Sequence, residues 1–320
     1  MHVSSTVRRA LVGTCLAVSA SWLAGTAGAA GTVDRAGPGA LRALPAPVAA
    51  ACGQPVPTPD YTRVLWVVME NAPSSAVLGA PAAPFTTALA RACGLARRYT
   101  AVTHPSLPNY LALTAGTTFG IEDDNGPSAH RLGGASIFSQ VLLHHLTWAS
   151  FEESMPARCA QASSGLYAVK HNPAAYFVAL RAACQRDDMP MGTATSGPLA
   201  SALRAGRLPS FTLVTPNVCD DGHSCPLALA DAWLGRFVTS VVVSRAYRGG
   251  RLAVFVTWDE GSGSNQVVPL LVVAPSVPHG TVAMGRYSHY SLLRTTEALL
   301  GLPPLRNAAH AASMVPAFHL

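Results

Sequence analysis

Arg63-Val64-Leu65-Trp66-Val67-Val68-Met69-Glu70-Asn71 reads as a strand that is apolar almost throughout and stops on two polar residues. Unbroken apolar character over this length suits a strand covered on both faces, which is the signature of a largely parallel sheet. Three more runs share it: Ser210-Phe211-Thr212-Leu213-Val214, Leu252-Ala253-Val254-Phe255-Val256-Thr257 and Val268-Pro269-Leu270-Leu271-Val272-Val273. Between them, Trp233, Leu234, Phe237, Val238, Val241 and Val242 keep the spacing of an amphipathic helix, and Tyr290 to Leu300 predicts another, ended by Gly301 and Pro303. Alternation of this kind over residues 61–320 predicts one α/β domain, a three-layer sandwich around a mostly parallel central sheet.

The polar residues that follow the strands carry the chemistry. Glu70-Asn71 follows the first run, Pro216-Asn217 with Asp220, Asp221 and His223 the second, and Asp259-Glu260 the third. Groups beyond the carboxyl ends of strands in an open α/β sheet converge on one crevice. Clustered carboxylates need a cation or a proton to compensate them. Asp, Glu and Asn oxygens suit Mg, Ca or Mn, and nearby imidazoles extend the choice to Zn or Fe.

A second segment, His104-Pro105-Ser106-Leu107-Pro108-Asn109-Tyr110, runs into an apolar stretch closed by Gly116. Pro108 suits a first helical turn and Gly116 a stop, so Ser106 is expected at or just before a helix N-terminus. Such a position favours phosphate and stabilises an alkoxide. Ser106 as a simple helix cap is the alternative.

Composition narrows the field. With 320 residues, 49% hydrophobic and 12% charged, the chain can bury enough surface to fold, which excludes disorder. Lys170 is the only lysine, and the arginines are scattered along the chain, so no nucleic-acid patch is read. Residues 1–29, with Arg8-Arg9, an apolar stretch and Ala27-Gly28-Ala29, predict a signal peptide. A retained anchor is the rival reading. Sec and twin-arginine export both stay open, no transmembrane span is expected in the mature chain, and oligomeric state is not legible. Residues 30–60 read as an Ala/Gly/Pro-rich linker. Cleavage removes Cys15 and leaves six cysteines; in an exported chain these favour three disulfides, with 52 to 93, 159 to 184 and 219 to 225 the simplest of fifteen pairings.

Several hydrolase classes lose support. There is no G-x-S-x-G elbow and no G-x-x-x-x-G-K-[ST] loop, and Ser106-Leu107-Pro108-Asn109-Tyr110 lacks the arginine of a sulfatase signature.

Seven segments taken in order carry a resemblance. They are Met69-Glu70-Asn71, His104 to Tyr110, Glu152-Glu153-Ser154-Met155-Pro156, Lys170-His171-Asn172-Pro173, Thr215-Pro216-Asn217 through His223, Thr257-Trp258-Asp259-Glu260-Gly261 and Ser288-His289-Tyr290-Ser291. Together they resemble the bacterial phosphoesterase family that unites secreted acid phosphatases with phospholipases C, within the alkaline-phosphatase-like superfamily. The chain is similar to small actinobacterial secreted acid phosphatases, some of which act on phosphatidylinositol 3-phosphate. The resemblance implies an alkaline-phosphatase-like fold and a phosphoesterase catalytic domain over 61–320, acting on a small-molecule or lipid phosphate ester.

It also implies roles. Glu70, Asn71, Asp259 and Glu260 would hold a divalent metal ion beside a Ser106 nucleophile. His171 and His223 would bind phosphate or act as acid and base, with Asp221 orienting one of them. Asn109, Lys170, His104 and His289 are further phosphate-binding candidates. Relatives often carry an acidic residue after the histidine of the Asp-x-His segment, where this chain has Ser224 and Cys225, so a metal-free or single-metal mechanism stays open. The expected activity is that of a secreted acid phosphatase, with protonated imidazoles favouring acid pH. A phospholipase C-type diesterase and an inactive exported binding module are the alternatives.

Overall fold

Strand β1, Arg63–Met69, is buried from Val64 onward and lies inside an eight-stranded sheet. A computed structural model of the chain describes residues 43–56 and 58–320; the expected signal peptide and the first part of the expected linker lie outside the described residues. The other strands are β2 Gly94–Thr100, β3 Trp148–Glu152, β4 Asp188–Pro190, β5 Phe211–Thr215, β6 Leu252–Trp258, β7 Leu270–Val273 and β8 Thr281–Ser288. Their order across the sheet is β4-β3-β5-β1-β6-β7-β2-β8. All neighbours are parallel except those of β7, which runs antiparallel to β6 and β2.

Helices sandwich this sheet, as expected. On one face Ser106–Ala115 packs against His289–Leu299, and Trp66 of β1 donates its indole N–H to Thr296 at 2.9 Å. Pro84–Ala92 and Leu227–Val242 pack together on the other. Gly116 ends the Ser106–Ala115 helix in the left-handed region (φ 70°), and a Cβ there would lie 2.4 Å from the Leu305 carbonyl oxygen, so only glycine fits.

Four strands escape an apolar-run reading. β2 and β8 lie at the sheet's end and leave Arg97, Arg98, Val282, Met284 and Arg286 exposed, so no continuous apolar run marks them. β3 is wholly buried but carries Ser150 and Glu152, whose side chains satisfy each other at 2.6 Å. β4 is three residues long. The expected linker also needs correction, because Val48 and Cys52 are fully buried and residues 43–56 are part of the packed domain. Gly53 and Gln54 donate backbone N–H groups to Val277 and Pro275 at 2.8 Å. The domain therefore starts well before residue 61.

All three simplest disulfides are present: Cys52–Cys93, Cys159–Cys184 and Cys219–Cys225. Next to the second, Asp188 of β4 is buried opposite Ser150 of β3, with buried Glu152 two residues further along β3. Burial pushes Asp188 from 3.8 up to about 7, and burial with the Asp188 charge pushes Glu152 well above its ordinary value. A raised folded-state pKa stabilises fully below the unfolded value and ceases to do so as pH rises through the folded one. The window for Asp188 is thus about pH 4 to 7. Thermal unfolding should show a Tm at pH 5 higher than at pH 8 by about 5 °C or more, a difference that shrinks in Asp188→Asn.

Candidate active site

Register places the first two carboxylates. Met69 of β1 is paired with Trp258 of β6, so the next residues, Glu70 and Asp259, emerge side by side at the carboxyl edge. The Asp259 N–H donates to Met69 O at 2.9 Å and the Glu70 N–H to Asp221 O at 3.0 Å, which ties three of the expected site residues together through backbone alone. Asn71 adopts the left-handed conformation (φ 57°), which Asn tolerates, and turns its N–H onto Asp259 Oδ1 at 3.1 Å.

Ser106 opens its helix but does not cap it: its hydroxyl is buried and donates to Glu70 Oε2 at 3.2 Å. One turn on, the Tyr110 hydroxyl donates to Glu70 Oε1 at 2.8 Å. The i, i+4 spacing aims both hydroxyls at one carboxylate. Lys170 Nζ lies 3.4 Å from Ser106 Oγ, 3.4 Å from His223 Nε2 and 2.9 Å from Asp124 Oδ2. Burial disfavours its charge, but Asp124 outweighs this and raises the Lys170 pKa.

The histidines divide by environment. His171 is buried with Nε2 3.2 Å from Glu70 Oε2 and Nδ1 3.4 Å from Asp221 Oδ2, and it stacks on Tyr110. Burial opposes its proton, yet the Glu70 charge and contacts to Asp221 push the pKa up to about 10. Each ring nitrogen faces a carboxylate, but Nε2 makes no hydrogen bond. His223 is lowered by burial and by the charges of Lys170 and His171, and its Nδ1 lies 3.0 Å from Ser224 Oγ. The Cys219–Cys225 bridge closes the loop that carries Asp221 and His223.

Three expectations change. The side chain of Asn109 spends both amide hydrogens on Thr103 O and Pro105 O and accepts from the Val102 and Thr103 N–H groups. It clamps the loop leading to Ser106 and keeps no group for phosphate. His289 is fully buried, with Nδ1 2.9 Å from the Tyr99 hydroxyl and Nε2 against Asp259 O. Burial lowers it to about 4, so it is a neutral strut behind Asp259 rather than a phosphate ligand. His104 sits at the rim with Nδ1 2.7 Å from Glu260 Oε2, which turns Glu260 toward the histidine.

The chemistry of the donors fits a divalent cation. Asp259 Oδ2 is buried without a hydrogen-bond partner, and burial plus the Glu70 charge raise the Asp259 pKa well above its ordinary range. An orphaned carboxylate oxygen beside a second carboxylate is what a cation would satisfy. Glu70, His171 and Asp221 form an adjoining group whose ligand atoms lie within 4.8 Å of one another.

Two members were not singled out from sequence. Tyr110 lay in a quoted motif without a role. Asp124 takes the Leu107 N–H on Oδ1 at 2.9 Å as well as Lys170 on Oδ2. The available signal was that Glu122-Asp123-Asp124 holds the only acidic residues between Glu70 and Glu152. A cavity of about 840 Å³, lined by Phe85, Asp231, Gly235 and Arg236 among others, includes none of the expected site residues.

The chain is similar to known proteins in sequence and in fold. The Phosphoesterase family matches residues 66–303. A phosphatidylinositol-3-phosphatase of Mycobacterium tuberculosis is 35% identical over 260 residues, covering 79% of this chain and 81% of the relative. A phosphate-repressible acid phosphatase of Penicillium chrysogenum is 30% identical over 225 residues, 66% of this chain and 53% of the relative, so the chain spans about half the length of that fungal enzyme. Among solved structures, a protein in the alkaline phosphatase superfamily from Vibrio parahaemolyticus aligns with a TM-score of 0.53 at 13% identity over 82% of this chain and 77% of that one, a likeness of fold. The chain belongs to the Phosphoesterase family and is a phosphoric ester hydrolase on an alkaline-phosphatase-like α/β sandwich.

Proposed function

We propose that this protein is an exported acid phosphatase that hydrolyses phosphate monoesters through a phosphoserine at Ser106. The observation that carries the reading is the Ser106 hydroxyl at a helix N-terminus, directed at Glu70 and flanked by Lys170. Ser106 Oγ attacks phosphorus, its proton passes to Glu70 Oε2, and the P–O bond to the ester oxygen breaks, that oxygen leaving as the alcohol with the proton that a monoanionic substrate carries. Lys170 and the helix N-terminus draw charge off the phosphoryl oxygens. In the second step water attacks the phosphoserine, His223 takes its proton, and Ser106 recovers its own from Glu70. Buried His171 holds Glu70 and Asp221 in place rather than touching substrate. A divalent cation held by Glu70, Asn71 and Asp259 supplies, when bound, further stabilisation of negative charge.

The three disulfides support export to an oxidising compartment, and among the described residues no helix is long and apolar enough to cross a membrane. Initial rates on a chromogenic phosphate monoester, a phosphoinositide monophosphate and a choline phosphodiester test the reading. The monoesters are expected to be cleaved at least about tenfold faster in kcat/KM, a difference of about 1.4 kcal/mol in the barrier. A preference for the diester would move the assignment to a phospholipase C-type reaction.

A further inference from the structure

A phosphorus atom poised for attack lies about 3–3.5 Å from the nucleophile. Its non-bridging oxygens therefore fall within reach of two donors beside Ser106. One is Lys170 Nζ, 3.4 Å away; the other is the backbone N–H of Leu107, the next residue in the same helical turn. Asp124 already holds both, each at 2.9 Å, one with each carboxylate oxygen. Two oxygens of a carboxylate thus occupy the places that two oxygens of a phosphoryl group require.

The charge balance around Asp124 makes this consequential. Lys170 contacts it, His223, Glu260 and Tyr176 on other elements lie close enough to feel its charge, and Asp123 with its partner His130 sits on its own loop beside Glu122. Lys170 is neutralised by Asp124, His130 by Asp123, and His171 by Glu70 and Asp221. A second negative charge on the substrate would therefore meet the Asp124 carboxylate at the Lys170 and Leu107 donors. The Asp124 side chain is about a third exposed, so it can move within the site but not be ignored by an incoming anion.

We propose that Asp124 is a specificity-determining residue that selects the monoanionic form of the phosphate monoester. The monoanion carries one charge less and a P–O–H that the Asp124 carboxylate can accept; the dianion meets like charge at the same place. In the first step the Ser106 O–P bond forms, the P–O bond to the alcohol breaks, and the substrate's own proton leaves on the alcohol oxygen while the Ser106 proton rests on Glu70. The second ionisation of a phosphate monoester falls near pH 6, so turnover declines above that pH because the substrate loses a proton. This rests on the reading of Ser106 as the nucleophile.

The test separates the two. Calorimetry with inorganic phosphate at pH 5 and pH 8.5 is expected to show wild type binding about tenfold more tightly at the lower pH, with the ratio falling to about threefold or less in Asp124→Asn. Asp124→Ser, which still accepts from Leu107, repeats the measurement if the first variant unfolds. In kcat/KM profiles, the alkaline limb of wild type moves to lower pH when a phosphorothioate, with its lower second pKa, replaces the phosphate ester. An unchanged binding ratio in both variants, or a limb indifferent to the substrate's pKa, overturns the proposal. The binding arm is repeated in Ser106→Ala: pH-dependent binding there alongside full turnover would fault the nucleophile assignment and leave Asp124's role standing.

Discussion

Ser106→Ala lowers kcat on a chromogenic phosphate monoester by about three orders of magnitude or more, equivalent to at least about 4 kcal/mol of barrier. The reason is that the change removes the attacking atom and almost nothing else. Glu70 keeps the Tyr110 hydroxyl at 2.8 Å and the His171 imidazolium at 3.2 Å, and Lys170 keeps Asp124. One buried hydrogen bond is lost, a cost of about 1 kcal/mol, so Tm stays within a few degrees of wild type. Residual turnover would come from water attacking directly, without the proximity that a fixed hydroxyl supplies. Acid quench during steady-state turnover, followed by mass spectrometry, should find phosphate on the peptide containing Ser106 in wild type and none in the variant. Activity within tenfold of wild type, or phosphate on a different residue, removes Ser106 from the reaction.

Glu70→Gln has the second large effect, and it reaches two properties at once. The carboxylate accepts from Ser106 and Tyr110 and balances the charge of His171. An amide of the same shape offers one acceptor oxygen and one NH2 group, so one hydroxyl or the imidazolium faces a donor instead of an acceptor. Turnover is expected to fall about a thousandfold, because the Ser106 proton loses its acceptor. Breaking a buried ion pair costs about 3–5 kcal/mol, which is expected to depress Tm near neutral pH. The Glu70 charge is the leading force that lifts His171 to about 10 against its burial. Without it the ring should release its proton at a lower pH, visible as an imidazole titration by NMR. A His171 that keeps its proton unchanged in Glu70→Gln would show that Asp221 alone holds the charge.

How much of this site could be read from sequence depends on how each residue is held. Glu70, Asp221 and Asp259 follow apolar runs, and a parallel sheet brings such residues together whatever the details of the loops. Ser106 was marked by a helix start and a glycine stop. Asn109 and His289 sit in equally suggestive segments, yet their polar atoms are consumed by loop backbone and by Tyr99 and Asp259. Residue type and spacing say nothing about whether a polar atom is already satisfied. Asp124 was passed over for the opposite reason: it lies in an irregular loop after Gly116, and only the fold carries it back to the helix start.

By itself the sequence determined the α/β sandwich and the presence of carboxylates behind a serine at a helix start, because apolar runs and helix punctuation are local properties; it favoured the simplest cysteine pairing, which the fold then settled. The antiparallel β7, the strands at the sheet's exposed end, the burial of Val48 and Cys52, and the division of labour among His171, His223 and His289 were decided by tertiary structure. A histidine gains basicity between two carboxylates or becomes a neutral strut under a carbonyl according to what surrounds it, and those neighbours come from segments far apart in the chain.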